Sequence, residues 1–67
     1  MKISDRLKAL RKQHSLKLRE ISKQTDLSIS YISDIERGRT MPSLETCGKL
    51  AAYYGMTISK FLEGVKI

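Results

Sequence analysis

Apolar residues recur along the 67-residue chain at helical spacing. Ile3, Leu7 and Leu10 form one stripe, with Ser4 placed to cap and Asp5 in the first turn, which predicts a helix over about residues 4–14. Arg11, Lys12 and His14 crowd its end, where cations suit the helix dipole. Leu18–Thr25 predicts a second, short helix with Ile21 facing inward, and Asp26-Leu27-Ser28 reads as a turn, since Asp tolerates a left-handed backbone. Ser28 caps a third helix running to about Arg37, with Ile32 and Ile35 on its buried stripe and Gly38 at its end. After a loop from Arg39 to Pro42, Ser43 caps a fourth helix through about Tyr54, in which Leu44, Cys47, Leu50, Ala51 and Tyr54 share a face. Gly55 stops that helix. Thr57 opens a fifth containing Ile58, Phe61 and Leu62, which Gly64 ends. The fold class is all-α: one compact five-helix bundle spanning 1–67. Within it, residues 18–37 (LREISKQTDLSISYISDIER) fit a helix-turn-helix, with Ile21, Leu27, Ile32 and Ile35 where the two helices meet and a small Ser22 that lets their axes approach. A generic helical hairpin shows the same periodicity.

Composition narrows the function classes. A chain this short holds one domain, which excludes a large α/β enzyme scaffold. Its 40% hydrophobic content is too high for a disordered basic tail. No apolar run approaches the roughly 20 residues of a membrane span, and no apolar signal core follows Met1, so a cytoplasmic protein is expected. The single Cys47 forms neither an internal disulfide nor a thiolate zinc cluster and reads as a small buried hydrophobe. His14 has no second histidine beside it, and neither a catalytic residue, a metal nor a cofactor is expected.

Charge adds a partner class. Lys and Arg number 13 against 7 Asp and Glu, a formal +6. The whole excess arises between Met1 and Lys23, and the charges of residues 24–67 cancel. A polyanion suits such a distribution, because neutralised phosphates release condensed counterions. A solvated helix surface is the plainer alternative. An anionic membrane is a third, but the basic residues of the first helix are spread around its circumference instead of lying opposite an apolar face.

The runs DRLKALRKQHSLKLREIS and LSISYISDIERGRTMPSLETCGKLAAYYGMTISKFLEG, and above all YISDIERGRTMPSLET, resemble the Xre family of phage Cro/C1-type helix-turn-helix repressors over about residues 3–62. The run from Ser33 to Thr46 and the LEGV ending are also similar to the DNA-binding domains of certain bacterial damage-response repressors. The resemblance implies a lambda-repressor-like domain whose third helix enters the major groove. It implies base reading by Ile29, Ser30, Ser33 and Asp34, and backbone contacts from Lys17, Leu18, Ser28, Tyr31, Arg37, Arg39, Thr40 and Arg11. Ile29 would meet a thymine methyl and Asp34 a cytosine amino group, while the serines donate or accept. No Arg, Lys, Asn or Gln precedes Arg37 on this helix, so part of the discrimination is expected to be indirect. The resemblance also implies an Arg11–Glu36 ion pair between helices one and three, which makes Glu36 structural, not a general base. The chain departs from the family at Leu18, where Gln is usual, and at Asp26, where Gly is common.

The implied function is a transcriptional regulator, a repressor binding a palindromic double-stranded DNA operator as a homodimer. The expected dimer region is residues 53–67, with Tyr53, Met56, Phe61, Leu62, Val65 and Ile67 exceeding what a minimal core requires. Ile58 and Leu62 are assigned to the core; Phe61 and Val65 suit either role. The competing reading is a protein-interaction module on the same fold, an antitoxin or antirepressor with a regulatory protein partner.

Overall fold

Helix α1 (Ile3–Gln13) opens the computed structural model, which describes residues 1–66. It buries the predicted stripe of Ile3, Leu7 and Leu10. Ser4 is not its cap. The N-cap is Lys2, whose side chain has no acceptor, and Ser4 is buried in the first turn, its Oγ 3.9 Å from where a Cβ on Gly38 would stand. The C-terminus closes in a Schellman motif: the Ser15 N–H donates to the Lys12 carbonyl and the Leu16 N–H to the Arg11 carbonyl, both at 3.0 Å. That closure holds Ser15 at φ 53°, a left-handed position with no glycine to mark it.

Helix α2 (Leu18–Thr25) begins with half of a capping box. The Glu20 carboxylate accepts the Lys17 N–H at 3.0 Å; lysine cannot return the bond, so the Glu20 N–H goes to the Lys17 carbonyl, also at 3.0 Å. Asp26 takes the left-handed conformation at φ 65°, and Ser22 Oγ donates to the Leu27 carbonyl, fastening the turn to α2. Ser22 is therefore a tether as well as a small residue. Helices α3 (Ile29–Glu36), α4 (Leu44–Tyr53) and α5 (Ile58–Phe61) start at Ser28, Ser43 and Thr57. Each of those hydroxyls accepts a backbone N–H three residues on, at 3.1 Å. Gly38 and Gly55, at φ 76° and 69°, complete the Schellman closures of α3 and α4.

The core lies where α1 packs on α3, α2 on α3 and α4, and α4 on α5; Leu10, Ile21, Ile35 and Phe61 are its most completely enclosed side chains. Three expectations are corrected here. Phe61 is 0% exposed, so it belongs to the core and offers no surface to a second copy. Ile58 is 38% exposed and faces outward. Leu44, the first residue of α4, projects beyond the core at 72% exposure. Ile58 and Phe61, three residues apart, lie about 60° from each other on the one turn of α5; Phe61 enters the core, whereas Ile58, the first residue of the turn, stays at the margin beside Gly48. Arg6 fastens α5 to α1, its Nε donating to the Phe61 carbonyl at 2.9 Å and its Nη2 to the Lys60 carbonyl at 3.2 Å. The chain ends are joined too. The Met1 ammonium donates to the Gly64 carbonyl at 3.3 Å, and the Lys66 N–H to the Met1 carbonyl at 2.9 Å. Tyr53, Met56 and Val65 are half-buried against the core margin, whereas Ile67 lies outside the described residues. No helix is long and apolar enough to cross a membrane among the described residues.

Candidate nucleic-acid interface

The geometry of α3 separates two faces. At 3.6 residues per turn, positions 29, 30, 33 and 34 fall within an arc of roughly 140°, while 32 and 35 lie opposite. Burial follows that division: Ile32 and Ile35 are enclosed, Ile29 and Ser30 are exposed, and Ser33 and Asp34 are half-buried. The four residues assigned to base reading thus share one outward stripe. Its chemistry is a methyl-bearing surface, two hydroxyls and a carboxylate, with no cation.

Two bonded assemblies fix the pose of that stripe. In the first, the Arg11 guanidinium grips Glu36, Nε to Oε2 at 2.8 Å and Nη2 to Oε1 at 3.0 Å, and its Nη1 donates to the Leu16 carbonyl at 3.0 Å. One side chain therefore joins the end of α3 to α1 and to the segment leading into α2. Glu36 is buried, so its charge is matched by a bidentate partner as burial requires. The same hydrogen bond holds the Arg11 pKa above its ordinary value. In the second assembly the Tyr31 hydroxyl meets Thr46 Oγ1 at 3.1 Å, and Thr46 Oγ1 accepts from Ser43 Oγ at 3.0 Å. Tyr31, assigned to the DNA backbone from sequence, thus ties α3 to the start of α4, and Ser28 Oγ is engaged in the cap of α3. Sequence reasoning missed this bridge and the Arg6 clamp, since neither has a spacing signal.

The cations divide into structural and free. Arg6 and Arg11 are committed to the fold, whereas Lys17, Arg37 and Arg39 are exposed and Thr40 is half-buried. Lys17 stands at the start of α2 and Arg37 is the C-cap of α3, with Arg39 just beyond. Leu18 packs against the core and brings no polar group there except its backbone N–H. Cys47 is buried, which pushes its thiol pKa up and keeps it a neutral, apolar filler. His14 stacks near Tyr54, with ring centroids 5.1 Å apart. No cluster of three His, Cys, Asp or Glu side chains stands ready for a metal ion among the described residues.

A helix-turn-helix family model, HTH_3, matches residues 7–61. The chain belongs to this Cro/C1-type helix-turn-helix family. Among HTH_3 relatives, the HTH-type transcriptional regulator DdrOP3 of Deinococcus deserti is 48% identical over 66 residues, covering 98% of this chain and 51% of that protein. The immunity repressor protein of Bacillus phage phi105 is 39% identical over 59 residues, 88% of this chain and 41% of its own length. A solved HTH_3 family transcriptional regulator from Vibrio cholerae superposes with a TM-score of 0.82 at 33% identity, over 91% of this chain and 34% of that one. A Listeria innocua transcriptional regulator shares the fold at a TM-score of 0.81 and 24% identity, covering 98% of this chain and 62% of that one. This HTH_3 chain spans about half, or less, of the length of the two curated relatives.

Proposed function

We propose that this chain is the DNA-binding domain of a transcriptional regulator, a repressor that binds a palindromic operator as a dimer with α3 in the major groove. The observation that carries the reading is the outward stripe of α3, whose side chains are left free of fold-sustaining bonds, on a chain with exposed cations at the start of α2 and just past the end of α3. Ile29, Ser30, Ser33 and Asp34 read bases; Lys17 and the first amides of α2, including that of Leu18, together with Arg37, Arg39 and Thr40, hold the backbone. Arg11, Ser28 and Tyr31, engaged within the fold, support this surface more than they extend it.

Of the residues expected at the dimer face, burial takes out Phe61 alone, and we add a further apolar surface to that face. Met41, Leu44 and Ile58 are exposed apolar side chains, and a groove of about 190 Å³ joins Met41, Pro42 and Leu44 to Ile3, Cys47 and Leu62. Gly48 carries this surface on to Ile58, whose Cδ1 lies 3.6 Å from where a Cβ on Gly48 would stand. The Cα envelope of 26 × 25 × 22 Å suits two touching copies whose α3 helices enter grooves one DNA turn, about 34 Å, apart. Selection of bound duplexes from a random pool tests the reading: an enriched inverted repeat is expected, and no enriched sequence would sink it. Arg39→Ala separates the alternative of a protein-interaction module, because it lowers DNA affinity and leaves binding to an apolar protein partner unchanged.

A further inference from the structure

The first turn of α1, the C-terminal end of α3 and the α3–α4 loop surround an open cleft of about 490 Å³. Lys2, Lys8, Arg37 and Lys66 bring four cations to its walls, and Asp5 brings a carboxylate. Glu36 also lines it, but its charge is matched by Arg11. None of the four cations makes an ion pair among the described residues, unlike Arg11, which the fold consumes. Four cations against the one unmatched carboxylate of Asp5 leave the cleft net positive, and that excess suits an anion. Its place names the anion. Ser4 packs at Gly38, which sets the first turn of α1 beside Arg37 on one side of that glycine and the Arg39–Thr40 loop on the other. Arg37 and Thr40 line the cleft and also belong to the edge that holds the DNA backbone. The cleft is therefore a continuation of that edge toward α1.

We propose that the cleft is a second backbone site, in which Lys2, Lys8 and Lys66 take phosphates of duplex DNA flanking the segment read by α3. The inference rests on the DNA-binding reading and extends its footprint. Contacts of this kind raise affinity for all sequences alike and steepen the salt dependence.

The test is the slope of log affinity against log salt on a 30-base-pair random-sequence duplex, which needs no knowledge of the operator. Lys2→Gln/Lys8→Gln keeps the apolar stems and removes the charges; it is expected to flatten the slope by about 0.9 for each phosphate that is no longer neutralised. Lys23→Gln/Lys49→Gln makes the same change of net charge on the groove between α2 and α4 and is expected to leave the slope nearly unchanged. Lys2→Arg/Lys8→Arg is expected to restore it. Equal flattening by both glutamine pairs, or none from the cleft pair, overturns the proposal while the wider reading stands. A wild-type chain with salt-insensitive binding, or none, overturns both.

Discussion

Single side chains in this domain carry more than their share of the structure. Phe61 is fully enclosed, and Phe61→Ala is expected to cost about 3–5 kcal/mol. A domain of this length holds only about 3–10 kcal/mol in all, so chemical denaturation should find the variant largely unfolded. Ile58→Ala, three residues away and facing outward, is expected to cost less than about 1 kcal/mol. The order of these two was not legible in the sequence, because both are large apolar residues on a one-turn helix. Titration gives a second test. Burial pushes the Tyr54 phenol from its ordinary 10.0 up to about 12, so the folded state holds this proton more tightly than the unfolded chain does. Above pH 10 the unfolded chain releases the proton first. Stability therefore falls as pH rises from 10 toward 12, and buried Cys47 pulls the same way from about pH 9. Tyr54→Phe should flatten the fall measured by denaturant titration at stepped pH, and an unchanged profile would reject the assignment.

Helices and their junctions were the most readable part of the sequence. The α2 boundaries agree residue for residue with the apolar pattern, and the hydroxyl caps at Ser28, Ser43 and Thr57 were visible because each stands just before a periodic run. Junctions without a marker residue were not visible. Ser15 occupies a left-handed closure that pattern reading assigns to glycine, while Asp26 occupies another for which Asp is better suited. Ser15→Gly is accordingly expected to raise stability by up to about 1 kcal/mol, and Asp26→Gly by less. Thermal unfolding of the two variants side by side checks this; a larger gain at Asp26 contradicts it. The Arg6 clamp was hidden for a different reason. Its partners are carbonyl oxygens more than 50 residues away, and every residue has a carbonyl, so no residue type announces the contact. The outward stripe of α3 was legible from helical phase alone, whereas the bond between the Tyr31 hydroxyl and Thr46 had no spacing signal.

As a whole, the molecule carries an apolar groove and a cationic cleft that share an edge at Ile3 and Met41, and each has its own readout. Leu44→Glu puts a charge at the most exposed large apolar residue among those described; it is expected to leave unfolding within about 0.5 kcal/mol of the parent and to abolish the proposed self-association in sedimentation. An unaltered sedimentation profile moves the dimer face elsewhere. The sequence localised the basic excess to the first 23 residues, but Arg6 and Arg11 are spent on internal bonds, so the tally overstates what a polyanion meets there. The lysines and arginines that remain available extend past that segment to Arg37, Arg39 and Lys66. The α3 stripe bears on the history such a protein can have. Ile29 and Ser30 are exposed, and no side-chain hydrogen bond of the fold passes through them, whereas the parts that hold α3 in place (Ile32, Ile35, Glu36 and Tyr31) lie elsewhere on its circumference. Mutation can therefore wander at Ile29 and Ser30 with almost no toll on folding. On the proposed reading, a lineage built on this scaffold can exchange one operator for another in single steps, each intermediate remaining a well-folded protein.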